Sequence, residues 1–180
     1  TVIIPTTWRE LGVGITGKLA EMWRYEVYLT TTLDPLRLDA SGPSPALSFG
    51  SLARADAFAV TGRVEVEPVL GLIGGLGFFA SDLGGNGDYF RRNGRERHLT
   101  LPFVGYALDA RMRRWGFEAR AVWAQFFFPN AGDLLGAFRE DGSPLFANVD
   151  ETGPVADRFE GGYIELAYDV LSLIETEHQL

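Results

Sequence analysis

Apolar and polar residues alternate along six stretches of this chain, and the connections between them alternate short and long. In Phe58-Ala-Val-Thr-Gly-Arg-Val-Glu-Val-Glu67, the residues Phe58, Val60, Val64 and Val66 fall on one side; Thr61, Arg63, Glu65 and Glu67 fall on the other. In Val104-Gly-Tyr-Ala-Leu-Asp-Ala-Arg-Met-Arg113, the residues Val104, Tyr106, Leu108, Ala110 and Met112 oppose Asp109, Arg111 and Arg113. A period of two marks a strand with one apolar and one wet face. The pattern predicts strands at 8–17, 23–33, 57–67, 69–81, 99–113, 117–128 and 159–171, with an eighth beginning near the end of the chain. Pro68 is expected to end the third strand, because proline cannot donate to a ladder.

Long connections without strand period, rich in Gly, Pro and Asp, fall at 34–56, 82–97 and 129–158. The intervening connections are tight. Loops of this length are rare inside compact soluble domains. Tight turns at one end and long loops at the other suit an antiparallel up-and-down transmembrane β-barrel in a bacterial outer membrane, with the loops outside the cell. One turn of helix is expected within the third loop, at 134–139. Aromatic residues gather near the strand ends: Phe78, Phe79, Phe126, Phe127, Phe128 and Phe159 towards the loops, Trp23, Tyr25, Trp115 and Tyr168 towards the turns. Two such belts flank the apolar band of a barrel in lipid.

Composition narrows the picture only in places. The 180 residues are enough for one domain with a sizeable core, and 46% of them are hydrophobic. The longest apolar run, 69–80, is too short for a spanning helix. Cysteine is absent, which removes disulfides, thiolate metal sites and thiol catalysis. The net charge of −8 argues against a nucleic-acid partner. Lys18 is the sole lysine, so arginine carries almost all positive charge. The chain begins at Thr1 and ends inside a predicted strand, so it reads as a segment of a longer protein.

Two stretches add a resemblance. Ile4-Pro-Thr-Thr-Trp8-Arg-Glu-Leu-Gly12-Val-Gly14, followed by Tyr25-Glu-Val-Tyr-Leu29 and a loop, resembles a mid-barrel hairpin of Gram-negative porin-like proteins. Gly161-Gly-Tyr-Ile-Glu-Leu-Ala-Tyr-Asp169 resembles a strand of the phosphate-selective porin O and P superfamily. The resemblance implies a barrel of about 16–18 strands, of which this segment supplies about half. It also implies a homotrimer passing small hydrophilic solutes, embedded in outer-membrane lipid and lipopolysaccharide. Phosphate selectivity in that family depends on ladders of lysine and arginine. Here the arginines are interleaved with acids, which departs from that pattern.

The candidate lumen residues are Arg24, Glu26, Arg63, Glu65, Glu67, Asp109, Arg111, Arg113, Glu118, Arg120, Glu165 and Asp169, with Glu10 as a further acid. Rings of charge govern what permeates a pore. The plainer reading is that each arginine pairs with a neighbouring carboxylate and only stiffens the wall. Arg139, Glu140, Asp141 and Asp150 are candidates for a constriction if the third loop folds inward; a solvated external loop is the alternative.

No cofactor or metal is expected. Asp82-Leu-Gly-Gly-Asn-Gly-Asp88 lacks the ligand spacing and closing glutamate of an EF-hand. No catalytic fingerprint occurs, and His98 near Ser81 or Asp82 is the sole conceivable hydrolytic nucleus. The sequence therefore points to a passive channel rather than an enzyme. Its alternatives are a closed eight-stranded outer-membrane barrel with a structural or adhesion role, and a soluble ligand-binding β-barrel.

Overall fold

The computed structural model describes residues 10–38, 46–47, 57–84, 88–91, 96–98, 100–135, 137–139, 142–146 and 154–170. The chain is all-β. Seven strands form one antiparallel sheet in the order β1 (Gly12–Ala20), β2 (Trp23–Thr31), β3 (Phe58–Val69), β4 (Leu72–Asp82), β7 (Pro102–Arg114), β8 (Phe117–Phe127) and β10 (Arg158–Tyr168). The two sequences between that carry no period hold a small second sheet, in which β5 (Asp88–Arg91) pairs with both β6 (Glu96–His98) and β9 (Ala137–Phe138). The seven-stranded sheet is not closed among the described residues; β1 and β10 are its edges. The expected eighth strand and residues 8–9 of the first lie outside the described residues.

Local chemistry explains where the strands stop. Trp115 and Gly116 both have positive φ, 53° and 78°, as a two-residue hairpin turn matched to strand twist requires. Trp115 bears a steric cost of roughly 1–2 kcal/mol there. The Arg114 guanidinium lies 4.2 Å from the centre of its ring, a cation–π contact that offsets part of that cost. Pro68 does not end β3. The ladder shifts register between Val66 and Val69, and the proline sits in that irregularity, where no ladder donor is needed. Pro102 is tolerated as the first residue of β7 for the same reason. The helix expected at 134–139 is instead a 3-10 turn at Ala131–Leu134 followed by β9.

Because paired residues share a face, the registers assign every side chain. One face carries Val13 and Ile15 (β1), Val27 and Leu29 (β2), Val60 and Val64 (β3), Leu76 and Phe78 (β4), Val104 and Leu108 (β7), Ala121 and Trp123 (β8), Ile164 and Leu166 (β10). Its charged residues among those described, Asp82, Arg114, Arg158 and Glu160, all lie at strand ends. This face is bare. Val13 is 74% exposed, Leu108 49% and Ile164 78%.

The opposite face is where the chain packs. Its loop end carries Ala59, Phe79, Phe103 and Phe126, joined by Leu33, Leu38, Leu47, Leu83, Leu101, Phe128, Leu134, Phe146 and Val155 from the connections. Phe103 stacks on Phe126 at 5.3 Å and meets Phe79 and Phe128 edge-on at 5.9 and 5.6 Å. The described parts of the long connections therefore fold over one face of the sheet rather than standing away from it. This revises the aromatic belts. Phe78 and Phe127 lie on the bare face, but Phe79, Phe126 and Phe159 share the other, and Phe128 is buried against it.

Candidate functional site

The wet face is layered from turn to loop. Nearest the turns is a charged layer. Arg24 of β2 bonds Glu65 of β3 at 3.3 Å and pairs with Glu67 at 3.6 Å. Arg63 reaches over β4 to Asp109 of β7, with its two terminal nitrogens 2.5 and 2.8 Å from the two carboxylate oxygens, and also meets Glu65 at 3.4 Å. That diagonal reach depends on Gly75, which stands between Glu65 and Asp109 in register. A Cβ at Gly75 would lie 2.5 Å from both the Arg63 Cζ and an Asp109 oxygen. Arg24, Glu65, Glu67, Arg63 and Asp109 thus form one network.

A second cluster lies on β7, β8 and β10. Arg120 donates to Glu118 through Nε at 2.7 Å and through a terminal nitrogen. Arg111 stands opposite Arg120, Arg113 opposite Glu118, and Glu165 opposite Arg120. Like charges directly opposite one another repel. Among the described residues, no carboxylate is within ion-pair distance of Arg111 or Arg113. These two arginines keep a charge that the pairing of Arg24, Arg63 and Arg120 largely neutralises.

Glu26 accepts from the Tyr28 hydroxyl at 3.3 Å, and Glu10 accepts from Thr31 at 2.8 Å. Asp169 lies past the end of β10, its N–H bonded to the carbonyl of Gly116 at 2.8 Å, so it sits at the turn end and not in the sheet. Arg139 is exposed on a tight turn whose N–H and carbonyl bond Ser143 and Gly142. Glu140, Asp141 and Asp150 lie outside the described residues.

Above the charges the face opens into a hollow of about 520 Å³. Thr61, Gly77, Gly105 and Ala107 form its floor, Tyr28 and Glu10 one flank, Phe79 and Phe126 the side towards the loops. Small residues leave this space because Gly77, Ala107 and Ala124 follow one another across β4, β7 and β8, with Gly105 in the row next to them. Above it, the aromatic core caps the loop end.

The sequence pattern missed two features. The first is the inward aromatic cap. Three consecutive phenylalanines must alternate, so only Phe127 can share the face of Trp123; parity was the available signal. The second is a polar chain on the bare face near the loops. Tyr106 donates to Gln125 at 2.7 Å, Gln125 donates to Glu160 at 2.8 Å, and Arg158 donates to Glu160 at 2.5 Å. By parity Gln125 shares the apolar face of Trp123. The register runs through it without a shift, and hydrogen bonding satisfies it.

Ser81 and Asp82, named with His98 as a conceivable hydrolytic nucleus, each make contacts at the strand ends. Ser81 Oγ lies 2.7 Å from Thr32 Oγ1 and 3.0 Å from the Phe58 carbonyl, while Asp82 accepts from the N–H groups of Gly84 and Leu101. These contacts tie both side chains to the strand ends. Among the described residues, no group of three potential ligands is placed to hold a metal ion.

No family model matches the chain, and no solved structure matches it. A protein of Aquifex aeolicus (strain VF5), described only as uncharacterized, is 25% identical over 181 residues. The match spans 99% of this chain but 38% of that relative.

Proposed function

We propose that this chain is part of a Gram-negative outer-membrane porin, a passive diffusion channel for small hydrophilic solutes or ions, and that the resemblance to the porin O and P superfamily reflects this. One observation carries the reading: a bare apolar face, charged only at its strand ends, runs across all seven strands, while the Arg24–Glu65–Arg63–Asp109 network, the Arg120–Glu118 pair and the folded connections lie on the other. Monomeric soluble proteins rarely expose an apolar patch beyond a few hundred Å². Lipid covers such a face at no cost to it. Strands of 9 to 13 residues are long enough to cross.

The connections fold over the wet face, which supports that face as the lumen. A soluble ligand-binding barrel needs the reverse, with the apolar face inside. The relative's length gives further support. At this chain's strand spacing, a protein of that size holds about 18 strands, in the range of a water-filled barrel. Outer-membrane lipid and lipopolysaccharide are then the partners of the bare face, and a homotrimer is the assembly the resemblance implies. Selectivity falls first to Arg111 and Arg113.

The aromatic cap favours one second reading: a closed eight-stranded barrel whose interior is filled by side chains, with the loops as its working surface. Single-channel current of the full-length protein in a planar bilayer under a salt gradient separates the two. The porin reading expects discrete steps. It also expects Arg111→Glu with Arg113→Glu to move the reversal potential towards cation selectivity. Silence from folded, inserted protein refutes it.

A further inference from the structure

We infer that the hollow on the wet face binds a small, flat, neutral aromatic molecule carrying a hydroxyl or N–H donor. Its place on a permeation route rests on the porin reading; the site itself does not. Its volume, about 520 Å³, falls in the range of small-molecule sites, and its lining is largely apolar.

Gly77 in the floor shows that this space is open rather than packed. On the same face Gly14, Gly75 and Gly105 are each covered by a side chain, those of Tyr28, Arg63 and Phe126, which a Cβ there would strike. At Gly77 a Cβ would meet nothing nearer than 3.8 Å. A glycine inside a strand forgoes packing, and an uncovered one marks a place where another group approaches the backbone closely.

The walls set the class of ligand. Phe79 and Phe126 close the loop side, 6.5 Å apart and tilted by 60°. Phe103 stacks on Phe126 at 5.3 Å and covers one face of that ring, so the hollow meets the remainder. A flat aromatic group packs against such a ring with more than its area burial. The polar groups on the β2–β3 side are acceptors. The Thr61 hydroxyl donates to the Phe78 carbonyl at 2.9 Å and the Tyr28 hydroxyl to Glu26 at 3.3 Å, so each oxygen is left to accept a donor.

Neither sign of charge is favoured. Glu10 is the one charged residue of the lining, and it accepts from Thr31. Glu26 lies outside the lining, opposite Arg63 in register, and Arg63 is held by Asp109 and Glu65. On β7, Arg111 stands four residues beyond Ala107, roughly 13 Å along the strand, with Asp109 between them. On β8, Arg120 is further still from Phe126, and Arg113 lies beyond Arg111. An anion in the hollow meets Glu10. A cation meets one carboxylate that Thr31 already engages, and otherwise apolar surface. Either loses its water there without full compensation, whereas a neutral arene with one donor does not.

The test uses the full-length protein in lipid nanodiscs at neutral pH, in equilibrium dialysis with three probes that share one ring system: 2-naphthol, 2-naphthoate and 2-naphthylmethylammonium. Uptake by empty nanodiscs is subtracted. 2-Naphthol is expected to bind about tenfold more tightly than either charged probe. Gly77→Val, whose side chain has room in the floor, is expected to weaken 2-naphthol binding at least about tenfold, and Thr61→Val, which keeps the shape and removes the acceptor, about fivefold. A charged probe that binds as well as 2-naphthol, or binding untouched by both substitutions, overturns the inference. Planar-bilayer current of the same protein keeps the two ideas apart. Conduction without 2-naphthol binding refutes the site and leaves the channel; binding without conduction refutes the channel and leaves the site.

Discussion

Substituting Gly75 by alanine asks whether the reach of Arg63 across β4 is worth anything. Glycine in a strand is ordinarily a weakness, and alanine there gains roughly 0.5–1 kcal/mol. At this position the sign should invert. The new Cβ would stand 2.5 Å from both Arg63 Cζ and Asp109 Oδ2, so the paired hydrogen bonds at 2.5 and 2.8 Å cannot survive. Hydrogen bonds to charged groups contribute about 1.5–3 kcal/mol when shielded. The Arg63 and Asp109 side chains are 30% and 25% exposed, which places this pair near the lower end of that range. Net of alanine's gain, Gly75→Ala is expected to cost about 1 kcal/mol.

The cycle partner is Arg63→Met, which keeps the stem and removes the fork. In that background Gly75→Ala should stabilise by about 0.5 kcal/mol, because the Asp109 carboxylate, no longer held by the arginine, can turn away from the new Cβ. The assay is equilibrium unfolding in guanidinium of the full-length protein in phospholipid vesicles, followed by tryptophan fluorescence. If Gly75→Ala has the same sign in both backgrounds, the glycine is not there for the arginine and the reasoning fails.

Three further expectations follow from the layering. Phe103→Ala, deep in the aromatic cap, should cost about 3–5 kcal/mol in the same unfolding assay, and should widen the outer mouth enough to raise single-channel conductance. Leu108→Arg on the bare face should cost roughly 2–4 kcal/mol in vesicles, whereas Ala107→Arg, one residue earlier and on the wet face, should cost far less; equal costs would remove the distinction between the faces. Gln125→Leu breaks the chain joining Tyr106 to Glu160 and should cost about 1–2 kcal/mol, by thermal melting of the full-length protein, because it strands polar groups in an apolar surround.

The seven main strands were legible because one wet and one apolar face impose a period of two on residues such as Val60, Val64 and Val66. The turn at 114–116 was legible, whereas the one at Gly71 was placed too early, at Pro68, with residues 69–71 assigned to the next strand. Pro68 misled because its prohibition is local, while the register shift that accommodates it is a property of two strands. The aromatic cap was hidden for a different reason. Proximity to a strand end says how high Phe79 or Phe126 sits, not which way it points, and direction comes from register. The folded connections carry no period at all, so Leu33, Leu101 and Phe146 gave no sign that they meet. In the candidate site, the identity of the charged residues was readable, and their partners were not: Arg63 and Asp109 are 46 residues apart and belong to strands that are not neighbours.

The central claim is that one face of the sheet meets lipid and the other water. These 180 residues have no cysteine, so in a full-length protein with any cysteine elsewhere replaced, single cysteines placed along β7 at 104, 106, 108 and 110, and at 105, 107, 109 and 111, can carry spin labels one at a time. With the full-length protein in vesicles, collision rates with oxygen and with a water-soluble nickel chelate should alternate along the strand. The even positions should be oxygen-accessible and chelate-poor, the odd ones the reverse. Chelate access that is high at 108 and 110, or equal on both faces, would contradict the account.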